Sequence, residues 1–308
     1  MDMKDLKKKI IPLLMISTVL MTGCFKNYDD IDVSLEDNGE NVFVPGASDS
    51  ESDGAIETDV RPVNEFEKYY YIKKDTIQYS NRLFLPERSG PHPVVIFSPE
   101  AGNLGKDYYE LARKFTANGV AVFIPEPNIE RENVDDFFSN QVDQIDKLIN
   151  LVKEIPELDS SKILTSGWGF GAYESMVAVA KDPSRVTGAF YYNPDLDFAE
   201  DAALKFGNSE SIPEDNEMNI PPEIIKDMNS VDYKTVLTSN TEKMIIFRND
   251  FQDEAFKTQY EALTALIPNC IEDELPQSGY NFRIFMRGGD QGDMLDKALS
   301  FINEANMK

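Results

Sequence analysis

Apolar positions along this chain fall into short runs separated by stretches with helical spacing. Residues 69–72 (Y-Y-Y-I), a K-K-D turn at 73–75 and residues 77–85 read as an antiparallel strand pair. Residues 94–97 (V-V-I-F) are continuously apolar, the mark of a strand buried on both faces. The spacing then predicts a helix over 106–118, ended by Gly119. A strand over 120–124, a helix over 135–155 and a strand over 163–165 follow. Next come a helix over 172–181 and a strand over 186–192. Residues 195–242 interrupt the alternation with an acidic stretch carrying Pro213, Pro221 and Pro222. It then resumes with a strand at 244–247, a helix at 251–266, a strand at 282–286 and a helix at 293–306. Strands alternating with helices predict an α/β fold, a mostly parallel central sheet with helices on both faces. The interruption reads either as a lid-like insertion over the C-terminal ends of the strands or as a plain surface insertion.

The N-terminus has a different pattern. Lys4, Lys7, Lys8 and Lys9 precede an apolar run from 10 to 21 and then T-G-C. This is an export signal, too short for a comfortable membrane span. Met21-Thr22-Gly23-Cys24 resembles the lipobox of bacterial lipoproteins, with methionine where that motif prefers leucine. The resemblance implies a signal peptide over 1–23 and lipidation of Cys24. It also implies a lipid anchor on the extracytoplasmic face of the membrane, in the bacterial cell envelope. Residues 24–64 lack periodicity and are rich in Asp, Glu, Ser, Asn and Gly, as expected of a disordered acidic tether. The domain is then expected over 65–308.

Composition narrows the function. The 308 residues, 41% of them hydrophobic, suffice for one large core. A net charge of −25 repels phosphates and argues against a nucleic-acid partner. The two cysteines, Cys24 and Cys270, support neither a disulfide framework nor a cysteine-based metal site. No cofactor or metal is expected. The single histidine, His92, is the one imidazole available to any Ser-His-Asp apparatus.

Residues 162–173, K-I-L-T-S-G-W-G-F-G-A-Y, read as a strand, a sharp turn and a helix. They resemble the nucleophile elbow of α/β-hydrolases, G-x-S-x-G. Gly167 and Gly171 match its glycines, and Gly169 stands where its serine would be. P-H-P-V-V-I-F-S-P-E-A-G-N (91–103) and R-G-G-D-Q-G-D-M-L (287–295) extend the likeness over roughly 68–306. The chain resembles the dienelactone-hydrolase and platelet-activating-factor-acetylhydrolase-like branch of that superfamily. That resemblance implies a base at the position of Gln291, which cannot take a proton near neutral pH. It implies an acid at Asp250 or Asp253, with Asn193 and Asp195 as a further location. Ala101 and Phe170 would supply the oxyanion-hole N–H groups. Glu100 faces either that pocket or solvent, and Trp168, Tyr108 and Tyr109 are candidate apolar walls. His92 precedes its strand and so belongs to the sheet edge opposite the elbow.

These residues point to a membrane-anchored, non-hydrolytic member of the fold that binds a small molecule or a protein partner. The alternative is a carboxylic-ester hydrolase with relocated machinery. It would use Ser98 or Ser166 as nucleophile, and Glu100 with Asp250 or Asp290 as acid and base. A purely structural lipoprotein is a third possibility.

Overall fold

A computed structural model describes residues 58–74, 77–100, 108–126, 136–207, 212–213, 221–249, 254–275 and 291–306. Among these the sheet has nine strands: β1 (Thr58–Pro62), β2 (Glu67–Lys74), β3 (Ile77–Phe84), β4 (His92–Ser98), β5 (Ala121–Glu126), β6 (Leu158–Trp168), β7 (Gly188–Tyr192), β8 (Met244–Asn249) and β9 (Cys270–Leu275). Their spatial order is β1-β2-β3-β5-β4-β6-β7-β8-β9. The first three strands and the β3–β5 pairing are antiparallel, and every pairing from β5 through β9 is parallel. The expected mostly parallel sheet is therefore present.

Helices cover both faces. One face carries α1 (Tyr109–Ala117) and α8 (Gln291–Asn306). There Leu111, Phe115, Phe301 and Ile302 pack on Val95, Phe97, Leu164, Trp168, Phe190 and Tyr192. The other face carries α2 (Phe137–Leu151) and α3 (Gly169–Ala180), with the rings of Phe138 and Tyr173 stacked at 5.9 Å. The central strands β4 to β7 are buried almost throughout, which explains their unbroken apolar runs.

Two expectations need correction. The domain begins at Thr58, because β1 pairs with β2 over residues 58–62, inside the stretch assigned to the tether. A strand also forms at Cys270–Leu275, where none was expected. The described part of the 195–242 insertion carries α4 (Leu196–Phe206), α5 (Pro222–Met228) and α6 (Tyr233–Ser239), before α7 (Glu254–Thr264). The expected strand at 282–286 and residues 1–57 lie outside the described residues.

Candidate functional site

The elbow forms as the glycine spacing requires. Strand β6 ends at Trp168 and helix α3 starts at Gly169, which takes φ +54°. An L side chain is strained there and glycine is not. Gly171 has a different constraint. A Cβ on it would lie 2.0 Å from the Pro99 carbonyl oxygen, so only glycine lets α3 seat against the end of β4.

The space above Gly169 is bounded by acids. A Cβ placed there would meet Asp195 Oδ2 and Glu100 Cγ, each at 3.6 Å. Glu100 thus faces the elbow rather than solvent. Its N–H donates to the Tyr108 hydroxyl at 3.0 Å, which fixes the backbone after β4. Asp195 is brought in by a turn after β7. Asn193 adopts φ +47°, its N–H donates to the Phe247 carbonyl at 2.7 Å, and the Asp195 N–H donates to the Gly169 carbonyl at 3.3 Å. Burial, then the carboxylates of Asp197 and Glu100, hold the Asp195 carboxyl well above the usual range, although part of the residue is exposed. Sequence reasoning gave Asp195 only a passing place. The signal was the Asn-Pro pair after a buried strand, which forces the chain to turn at the catalytic edge.

The other candidates disperse. Trp168 is 1% exposed and stacks on Tyr192 at 5.7 Å, so it is core and not an accessible wall. Tyr108 is buried against Phe97, and only its hydroxyl serves the site, through Glu100. Tyr109 lies by the end of β5, two strands from the elbow. Its hydroxyl donates to Glu126, and the Arg82 guanidinium covers its ring at 4.2 Å. Phe170 packs between Phe138 and Phe198, while its backbone stays in the first turn of α3. Gln291 is the first residue of α8. Ala101, Asp250, Asp253 and Asp290 lie outside the described residues.

His92 starts β4, at the rim opposite Ser98. The register sets His92 beside Leu158 and Ser98 beside Gly167. Six residues of strand separate them by about 20 Å. His92 is 4% exposed, and its Nε2 lies 3.0 Å from the Arg88 carbonyl oxygen. Ser98 and Ser166 are buried, with the Ser98 hydroxyl 2.8 Å from that of Ser175. Neither hydroxyl is exposed at the elbow. Among the described residues no group of His, Cys, Asp and Glu is suited to a metal ion. Among the same residues, no helix is long and apolar enough to cross a membrane.

The sequence matches no protein-family model and no curated protein. Solved structures do match. Acetyl xylan esterase 1 from Thermoanaerobacterium sp. JW/SL YS485 superposes with a TM-score of 0.59 at 15% identity, over 82% of this chain and 89% of that one. The alpha/beta hydrolase GrgF from Penicillium sp. sh18 gives 0.58 at 17% identity, over 78% and 98%. This chain has the α/β-hydrolase fold. Dienelactone hydrolase from Anabaena variabilis gives 0.54 at 12% identity, over 78% and 95%. In this α/β-hydrolase fold the elbow lies at the carboxyl edge of the parallel strands, where ligands of open α/β sheets bind. The elbow of this chain offers two carboxyl groups there and no hydroxyl from residue 169.

Acyl transfer needs hydrogen-bond donors aimed at a developing oxyanion. An ionised carboxylate beside that oxygen would oppose it, whereas the neutral form that burial favours at Asp195 would not. The same pair suits a ligand that brings hydrogen-bond donors or positive charge.

Proposed function

We propose that this α/β-hydrolase-fold protein is a non-hydrolytic binding protein whose elbow pocket receives an amine or a hydroxyl-rich group. The observation that carries the reading is the bare turn at Gly169, where a Cβ would lie 3.6 Å from Asp195 Oδ2 and from Glu100 Cγ. The remote, hydrogen-bonded His92 supports it. The protein is held on the extracytoplasmic membrane face by lipid on Cys24, a reading supported by the M-T-G-C sequence after the basic and apolar signal.

Thermal-shift titration tests the pocket. Amines or glycans should raise the melting temperature of the wild type, and Asp195→Asn should weaken that response at least fivefold. Stabilisation by acyl esters alone would overturn the reading. Metabolic labelling with a palmitate analogue should mark the wild type and spare Cys24→Ser.

The acetyl xylan esterase among the structural neighbours favours the second reading, an ester hydrolase. A fluorophosphonate probe separates the two, because covalent labelling at any serine requires an activated hydroxyl.

A further inference from the structure

Residues 195–242 join the domain along a seam of carboxyl groups. At its start Asp195 reaches the elbow and Asp197 follows. At its end stands Glu242, 8% exposed, whose carboxyl group is reached by its own backbone N–H and by no donor of another described residue. Between them α5 presents Asp227 towards Glu174 of α3, which is 3% exposed and has Oε1 without a partner. The donors described across the seam are neutral. The Ser139 N–H and hydroxyl donate to Asp227. Gln259 Nε2 donates to Glu200 at 2.8 Å, Asn240 Nδ2 to the Met176 carbonyl at 3.1 Å, and the Tyr260 hydroxyl to the Pro194 carbonyl at 3.3 Å.

A buried carboxylate without hydrogen bonds costs several kcal/mol, whereas the neutral acid avoids that cost and gains a donor. We propose that protonation of this seam controls how the segment of α5 and α6, residues 222–239, is held on the domain, with Glu174 and Glu242 as the sensing groups. The segment is docked when they are neutral and loosens when they ionise. Asp227, already held by Ser139, then repels Glu174 across α3 and α5. Nearby Tyr173 feels Asp232 and Tyr233 of α6, which add no positive charge. Glu242 faces the Tyr191 hydroxyl of β7, and Lys243, next in the chain, is engaged by Glu304 of α8 at 2.8 Å. Burial pushes Glu242 up to about 7, and burial then Asp227 push Glu174 well above the usual range. A raised carboxyl contributes stability that is full below its unfolded value of 4.5 and is lost as pH rises through its folded value.

The device does not depend on what the elbow binds. Hydrogen exchange of the full chain at pH 5.5 and 8.0, corrected for intrinsic rates, tests it. Protection of α5 and α6 should fall about tenfold or more at the higher pH, with β4 and β6 remaining the more protected elements throughout. Glu174→Gln and Glu242→Gln, each uncharged and of the same shape, should each shrink that fall, and the double variant should bring it below threefold. The proposal is overturned by an unchanged wild-type profile, by α5 and α6 as protected as β4 and β6 at pH 8.0, or by a fall of the same size in the variants. Should one variant not fold, the other decides together with the wild-type comparison of α5 and α6 against β4 and β6.

Discussion

At the scale of single residues, the elbow glycines do different work. Gly171 is fixed by crowding, so Gly171→Ala should destabilise the protein by about 3 kcal/mol or more, read from denaturant midpoints. Gly169 is fixed by its φ of +54°, and a Cβ there would make ordinary contacts, the nearest at 3.6 Å. Gly169→Ser should therefore fold, at a cost of about 1–3 kcal/mol. It should still leave p-nitrophenyl esters intact, because His92 is at the far rim. Adding Gln291→His should yield trace turnover, and a family-like rate from the single variant would mean that the base lies elsewhere. The glycine spacing was legible in the sequence because it answers to local geometry alone. Trp168 was misplaced because the strand was ended at Thr165. It runs on to Trp168, and the alternation that buries Leu164 on the α1 and α8 face buries Trp168 there as well.

At the scale of elements, burial decided what could be read. Strands β4 to β8 stood out as apolar runs since neighbours enclose them. The edge strands β1 (T-D-V-R-P) and β9 (C-I-E-D-E-L) passed unnoticed because edges carry charge, which discourages pairing with other chains. The helices of 195–242 are short, and their termini are set by local chemistry. Pro222 occupies the first turn of α5, and Asp232 caps α6 by accepting the Thr235 N–H at 3.2 Å. Asp232→Ala should lower stability by about 1 kcal/mol, measured by thermal unfolding. A larger loss would mean that α6 holds the segment in place by itself.

At the scale of the whole molecule, acidity is built into the interior as well as the surface. Asp197 and Glu242 are each pushed up to about 7 by burial, and Asp195 and Glu174 are raised by the same cause. Their contribution is present in acid and is lost as pH climbs through neutrality. Glu157 and Asp159 are lowered, chiefly by hydrogen bonds from Lys68 and Ser161, and lose their contribution only under more acidic conditions. The melting temperature should thus be several degrees higher at pH 5.5 than at pH 8. Added salt should narrow the gap by screening the −25 net charge. A melting temperature that rises towards pH 8 would contradict the buried acids.

The stack of Trp168 on Tyr192, which in turn stacks on Phe247, has a practical consequence. Trp168 is the only indole in the chain and sits one residue before the bare turn. Its emission should be blue-shifted and partly quenched by its ring neighbours. Any occupant that disturbs the turn should change its intensity, so the native protein carries its own optical reporter at the point where occupancy is in question.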